Sequence, residues 1–303
     1  MAKLKFDPQT PLYTGDAAPW KIEQLPQVLD RLHAAGKPVV VFVHGRGKEP
    51  NKSLKGASFT KGLAVPKIEL GYNASVLMFN WDSAFPGIAF FDRNRALANV
   101  PAGARSLGKL LAGIKDYRQA NPAHAAPMLL VHSMGSIVVQ HAVEDGLWPA
   151  GDAIFRCVVL SQPDADDVNH EGWLERLATQ ESVFVTMNSG DHVLKHSNDA
   201  RPPGRHALGL GTDQPLAAHA RYIDLSGMGP VGSDMDKDHE VFGKGAMNGQ
   251  VHVCQFFEQA LLGLDVMLDP AVNVQTVQRD VVYQLRVRFD ASAPCLRQPN
   301  LPK

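Results

Sequence analysis

A serine that follows a buried strand and opens a helical pattern is the first candidate for chemistry in this chain. Residues 128–132 form the strand, Ser133 comes next, and a helical period follows. At such a turn the hydroxyl stands clear of the sheet edge, and the first amides of the helix face the same point. Gly135 supplies the small residue that the turn needs, whereas Val131 stands where Gly-x-Ser-x-Gly has glycine. The stretch predicts a nucleophile elbow, with an ordinary helix cap as the alternative.

A serine nucleophile needs a base and an acid that orients the base, and both occur later in the chain. Asp191 follows a strand pattern that would bring its carboxylate to the same sheet edge as Ser133. His239 lies between the last strand of the central pattern and the final helix. The order serine, aspartate, histidine is that of a known triad arrangement. We therefore predict that Ser133, Asp191 and His239 act together.

Other side chains compete for the roles of acid and base. Asp164 follows the preceding strand and is the second candidate for the acid. His252 falls within the final helical pattern, which favours a structural role, and His192 lies next to Asp191. If His239 is not the base, the role passes to His252 or His192.

A glycine-bordered turn directly after the first buried strand predicts part of an oxyanion hole. The turn contains His44 and Arg46, and its backbone can aim the N–H of Arg46 at a developing oxyanion. The N–H of Met134, at the start of the helix after the serine, would face the same oxyanion. A plain turn is the alternative, because glycines often follow strands.

The acidic clusters raise the alternative of a metal site. Three aspartates have the 1, 3, 5 spacing of a calcium loop: Asp234, Asp236 and Asp238. However, His239 replaces the glycine at position six, and Gly245 replaces the glutamate at position twelve. The acidic cluster at 164–170 predicts a solvated loop. We therefore expect no metal site.

Composition bounds the class of protein and of partner. The chain has 303 residues, 45% hydrophobic and 20% charged, with 30 basic against 31 acidic side chains. This balance gives no field for nucleic acid or an anionic membrane, so a small substrate is expected. The start of the chain lacks an apolar signal and no long apolar run follows, which predicts a cytoplasmic protein without a membrane span. Three widely spaced cysteines predict no disulfide framework and no zinc site: Cys157, Cys254 and Cys295.

Strand patterns alternate with helical patterns along most of the chain. Residues 38–44 form an unbroken β-branched run, typical of a strand buried on both faces of a parallel sheet. The order predicts an α/β fold: a mostly parallel open sheet covered by helices on both faces. Within the long helical pattern at 92–117, Pro101 predicts a kink or a division. Ligands of such sheets bind beyond the carboxyl ends of the strands, where the polar clusters lie.

Three regions follow from these patterns. An N-terminal segment with one helix, residues 1–37, precedes a core at 38–265. The extension at 266–303 contains one strand of period two and a loose proline-containing tail. This strand predicts an added edge strand or a homodimer contact.

Five segments in this order resemble the α/β-hydrolase superfamily, and more narrowly the serine-hydrolase-like group of domain of unknown function 900. They are His44-Gly45, residues 79–83, residues 131–135, residues 188–197 and Asp238-His239. The group has a Phe-x-Trp-Pro-Ser strand end, a His-Ser-Met-Gly elbow and a Ser-x-x-Asp-x-x-Leu-x-x-Ser acid motif. Here Asp82 replaces the proline and Asn188 the first serine, while Asp92 stands where the helix aspartate would be.

The resemblance implies an α/β-hydrolase fold and hydrolysis of an ester or related acyl bond without a cofactor. Ser133 would attack the carbonyl, His239 would move the proton, and Asp191 would hold the imidazole. His44, Trp81 and Arg205 are candidates for substrate contact, the last with a substrate anion. Further aromatic side chains are candidates for an acyl pocket or for core packing: Phe85, Phe90, Phe91 and Trp148. Because the superfamily has members without activity, a silent scaffold that binds a partner is the competing hypothesis.

Overall fold

The structure is a computed structural model that describes most of the chain. The described residues are 7–46, 64–83, 93–177, 182–226, 239–242, 251–261, 275–276 and 282–284. In these ranges ten strands, β1 to β10, are Leu12–Thr14, Pro19–Trp20, Val39–Val43, Ser75–Phe79, Met128–His132, Cys157–Ser161, Ser182–Met187, Ala220–Asp224, Gln275–Thr276 and Val282–Gln284. Seven α-helices, α1 to α7, are Leu25–Ala34, Ala64–Tyr72, Arg93–Ala120, Gly135–Glu144, His170–Leu177, His192–Asn198 and Val251–Leu261.

The strands form one mostly parallel sheet, as the α/β pattern predicts. Their order is β2-β1-β4-β3-β5-β6-β7-β8-β10-β9. The strands from β3 to β8 and β10 run parallel, whereas β1, β2 and β9 pair antiparallel. The chain leaves β3 toward β4 on one side and returns to β5 on the other. This reversal marks the edge at which an open α/β sheet binds ligands.

Helices cover both faces of the sheet, because the central strands are apolar on both sides. Alternate residues of β3 enter two separate buried clusters: Val41 packs with α1, α3 and α4, and Val40 packs with α2 and α7. Both side chains are fully buried. Burial on both faces explains why this strand has no alternating polar positions.

Several predicted elements differ in detail from the observed ones. Helix α3 runs through Pro101 as one element of 28 residues, so the predicted division is wrong. Packing of Val100 and Ala104 on the core holds the helix together despite the missing N–H. The predicted C-terminal strand is present as β10, which pairs with β8 inside the sheet. The loose tail lies outside the described residues.

The cysteines depart from the prediction. Cys254, on α7, is disulfide-bonded, whereas Cys157 in β6 is a buried thiol. Sequence spacing did not indicate this bond, because a disulfide depends on which side chains the fold brings within reach. Among the described helices, none combines the length and the apolar character that a membrane span needs.

Candidate active site

Ser133 occupies the sharp turn between β5 and α4 in a left-handed backbone conformation, with φ of +53°. A non-glycine residue pays about 1–2 kcal/mol for this conformation, so surrounding bonds must hold it. The Ser133 N–H donates to the carbonyl of Ser161 at 3.1 Å, and the Ser133 carbonyl accepts from the Ser136 hydroxyl at 2.7 Å. The strained serine is therefore fixed from both sides, which is the geometry of a nucleophile elbow.

Two glycines allow the loops after β3 and β5 to touch at the serine. A Cβ on Gly45 would lie 2.8 Å from the Cβ of Ser133, and one on Gly135 would lie 2.8 Å from the carbonyl oxygen of His44. Val131 lies in β5, where its side chain is fully buried in the core cluster under α4. The missing glycine at this position therefore does not prevent the turn, because the close approaches fall at 45 and 135.

Asp191 and His239 form a buried hydrogen-bonded pair. The Nδ1 of His239 donates to Oδ2 of Asp191 at 2.7 Å, and the Asp191 side chain is 0% exposed. The other carboxylate oxygen, Oδ1, accepts from the N–H of Leu194 at 3.0 Å and so caps α6. A carboxylate held by two donors presents one fixed oxygen to the imidazole.

The loop before α6 brings Asp191 to this point. Asn188 ends the strand region after β7, and its side-chain oxygen accepts from the N–H of Gly190 at 2.9 Å. The N–H of Asp191 donates to the carbonyl of Asn188 at 3.0 Å. These bonds form a tight turn of the kind that asparagine favours, so the serine-to-asparagine departure keeps the turn.

Opposing effects set the pKa of His239. Burial is the largest single effect and lowers the pKa, because it disfavours the charged imidazolium, while the charge and hydrogen bond of Asp191 raise it. The charges of Asp164 and Glu240 add to the rise, and the net pKa lies above its ordinary value. With Nδ1–H donated to Asp191, the remaining lone pair of the neutral ring is on Nε2. That nitrogen is the one that can take a proton.

The base-bearing segment lies beside the elbow. The Nε2 of His132, the residue before Ser133, donates to the carbonyl oxygen of His239 at 3.2 Å. The two imidazole rings lie 4.7 Å apart between centroids. The residue next to the nucleophile thus contacts the candidate base directly, although 107 residues separate them.

The predicted oxyanion donors lie on the two loops that touch. Met134 is the N-cap of α4, where the first amides of a helix lack intrahelical partners. Arg46 follows Gly45 in the loop after β3 and is half-buried. Since Gly45 contacts Ser133, both backbone segments border the serine.

His44 and Trp81 are buried against each other rather than in an open pocket. The indole N–H of Trp81 donates to the carbonyl of His44 at 2.9 Å, and the rings stack with centroids 5.9 Å apart. The His44 ring also bonds the Gly45 carbonyl at 2.7 Å and the Asn80 side chain at 2.9 Å. These contacts fix the loop that carries Arg46, a supporting role for which the sequence offered no separate signal.

Asp164, the second candidate acid, does not contact the histidine. Its carboxylate accepts from Arg201 and from the hydroxyl of Ser197, each at 2.6 Å, and lies 3.6 Å from Nε of Arg93. Its backbone N–H donates to the Ser133 carbonyl at 3.1 Å. Asp164 therefore joins the serine loop to a buried ion-pair network.

The predicted solvated loop around this aspartate is wrong. Asp164, Asp167 and His170 are all buried. Arg201 binds the carboxylate of Asp164, the N–H of His206 donates to Asp167, and the His170 ring bonds the Asp167 carbonyl and the Tyr222 hydroxyl. Asp166 pairs with Arg201, and Arg205 binds the same carboxylate at 2.9 Å. No group of three or more metal-ligating side chains was found in the described ranges.

The remaining candidates are placed as follows. His192 is the exposed first residue of α6, and Trp148 is buried against Phe155 in the core. His252 lies on α7, but its side chain is not among those described. Other candidates lie outside the described residues: Phe85, Phe90, Phe91, Asp92, Asp234, Asp236 and Asp238.

Comparison with protein families gives one match that covers more than half of the chain. The family model described as an α/β hydrolase of unknown function, DUF900, matches residues 23–202. The match includes Ser133 and Asp191, whereas His239 lies beyond its end. Comparison with curated proteins finds no match.

Proposed function

The chain belongs to the DUF900 family of α/β hydrolases of unknown function, and from this premise we propose that it is a serine hydrolase of carboxylic ester or related acyl bonds. Ser133, His239 and Asp191 are its triad. Among such enzymes the proposed activity is carboxylesterase- or lipase-like, acting on a small substrate.

The observation that carries the proposal is the 2.7 Å bond between His239 and a fully buried Asp191 beside the strained Ser133. A carboxylate that is buried away from solvent needs hydrogen-bond donors from the protein, and one donor to Asp191 is the imidazole of His239. A positive φ at a serine has an energetic cost that plain packing does not require. Both costs are explained if the three residues carry out acyl transfer.

In the proposed reaction the hydroxyl oxygen of Ser133 attacks the substrate carbonyl while Nε2 of His239 takes its proton. Asp191 holds the imidazolium through Nδ1–H. The backbone N–H groups of Met134 and Arg46 stabilise the oxyanion of the tetrahedral intermediate. The intermediate collapses as the leaving alcohol takes the proton from His239, and an acyl ester on Ser133 remains.

Water completes the cycle. It attacks the acyl carbonyl while His239 takes one of its protons, and collapse returns that proton to the oxygen of Ser133 and releases the carboxylic acid. His44 and Trp81 support the oxyanion loop in this scheme, and Arg205 stands at the surface end of the Asp166 ion pairs, where it can meet an anionic part of a substrate. We further propose a cytoplasmic location, in which burial of Cys254 shields its disulfide from cytosolic reductants.

The test is the intact mass of the protein after exposure to a fluorophosphonate probe. An activated serine displaces fluoride from phosphorus, so we expect one adduct on the wild type. Ser133→Ala should give none, and Ser106→Ala, which removes a half-buried serine of helix α3 and keeps the nucleophile, serves as the matched serine control. Absence of an adduct on folded wild-type protein would overturn the proposal in favour of a silent scaffold that binds a partner.

A further inference from the structure

The segment that carries His239 is anchored to helix α2 at two points. The hydroxyl of Tyr72, at the end of α2, donates to the carbonyl oxygen of Phe242. Five residues earlier in the same helix, Nζ of Lys67 lies 3.5 Å from Oε1 of Glu240. Residues 239–242 therefore lie between α2 on one side and His132 and Asp191 on the other.

The ion pair between Lys67 and Glu240 is buried. The side chain of Lys67 is 6% exposed and that of Glu240 is 13% exposed. Lysine is rarely buried to this extent unless it is paired, because the loss of hydration disfavours the ammonium group. Solvation of helix α2 does not require a lysine at a buried position. We therefore look for the role of the pair in the segment that Glu240 belongs to.

We propose that Lys67 is a positioning residue for the hydrolase site: through Glu240 it holds the backbone of His239 so that the imidazole keeps its orientation toward Asp191. The inference rests on the proposed function. A base must hold its position within a fraction of an ångström, and its immediate neighbour on the chain is the nearest point at which the fold can fix it.

The pair also sets the charge around the base. Among the described residues, the charges of Asp191, Asp164 and Glu240 act on His239, and the ring of His132 lies against it. Lys67 offsets the charge of Glu240. Removing either partner thus changes the electrostatic potential at the imidazole, and the two removals act in opposite directions.

The experiment compares Lys67→Met, Glu240→Gln and the double variant with the wild type. The rate of fluorophosphonate labelling is measured against pH, together with kcat and KM once an ester substrate is found. Lys115→Met, which breaks the exposed ion pair between Lys115 and Asp152, is the matched control.

Lys67→Met leaves the carboxylate of Glu240 uncompensated beside the base, which raises the pKa of His239. The acid limb, the part of the profile where the labelling rate rises with pH, should therefore move to higher pH. The plateau rate should fall about 10- to 100-fold because the imidazole is misplaced. Glu240→Gln should move the limb to lower pH. The acid limb of the double variant should lie near that of Glu240→Gln, because neither charge is left. Lys67→Arg, which keeps the positive charge, should have the wild-type profile. Lys115→Met should also have the wild-type profile. Limbs that do not move, or that move in the same direction in both single variants, would overturn the proposal.

Hydrogen exchange separates this proposal from the function on which it rests. Peptides that cover 239–242 should exchange faster in Lys67→Met than in the wild type, while peptides from α4 should not, whether or not the protein is labelled. An unlabelled wild type with this exchange pattern would refute the hydrolase but keep the anchor. If the wild type is labelled but exchange at 239–242 is unchanged in both Lys67→Met and Glu240→Gln, the positioning role of Lys67 is refuted and the hydrolase is not. Glu240→Gln tests this role even if Lys67→Met fails to fold.

Discussion

The backbone N–H of Asp164 donates to the carbonyl oxygen of Ser133 at 3.1 Å, so the second candidate acid supports the strained turn at Ser133 through its backbone. Its side-chain carboxylate instead pairs with Arg201 and Arg93. Asp164 and Asp191 thus stand at neighbouring strand ends with different tasks: one orients the histidine, and the other neutralises buried guanidinium groups.

Replacing Asp164 should therefore affect stability more than catalysis. Asp164→Asn leaves the buried side chain of Arg201, 1% exposed, without one of its counter-charges. Breaking a buried pair in this way costs about 3–5 kcal/mol of the free energy of unfolding. Urea unfolding measures the loss, with Asp199→Asn, in a largely exposed pair, as the control. Unchanged stability would contradict the ion-pair network.

Replacing Asp191 should give the opposite pattern. Asp191→Asn can keep the hydrogen bond of the α6 cap but no longer holds His239 in the required tautomer, and kcat/KM should fall about 10⁴-fold. The rate of fluorophosphonate labelling of folded protein measures this loss and should decline in parallel. If Asp164→Asn lost more activity per folded molecule than Asp191→Asn, the assignment of the acid would be reversed.

The acid limb of the pH profile should lie above pH 6.5, the ordinary pKa of the imidazole. The reaction needs neutral His239, so activity rises as the pH increases through a pKa that Asp191 raises. The same shift favours folding below the unfolded pKa, and this contribution is lost as the pH rises through the folded pKa. Labelling rates from pH 5 to 9 locate the limb. A limb below 6.5 would show that burial outweighs the carboxylate.

The fold and the candidate triad could be predicted from the sequence because both leave local patterns. Unbroken apolar runs such as 39–43 mark buried parallel strands, and parallel strands bring their following loops to one edge. The order of Ser133, Asp191 and His239 along the chain then suffices to predict their proximity. The 2.7 Å bond between the last two is in accord with that prediction.

Features made by long-range pairing left no such pattern. Arg201 and Arg93 pair with the acidic loop at 164–170 and so allow its burial. The sequence predicts a solvated loop there because neither arginine is near the loop in sequence. Lys67 lies 173 positions before its partner Glu240 (240 minus 67) and falls in an ordinary helix. Val131 departs from the elbow motif, which has a glycine at that position so that two backbone segments can approach closely. In this chain, the described backbone makes this close approach at Gly45 and Gly135.

That contact predicts the effect of adding a single methyl group at the elbow. In Gly135→Ala the new Cβ would lie 2.8 Å from the carbonyl oxygen of His44, an atom that cannot move without displacing the loop of Arg46. We expect a loss of about 1–3 kcal/mol in the free energy of unfolding and slower fluorophosphonate labelling. Gly172→Ala is the matched control, because Gly172 lies in α5 with nothing within 4 Å of the added Cβ, and there alanine should stabilise by about 0.5–1 kcal/mol. Equal stability changes in the two variants would mean that the loops after β3 and β5 do not meet at the serine.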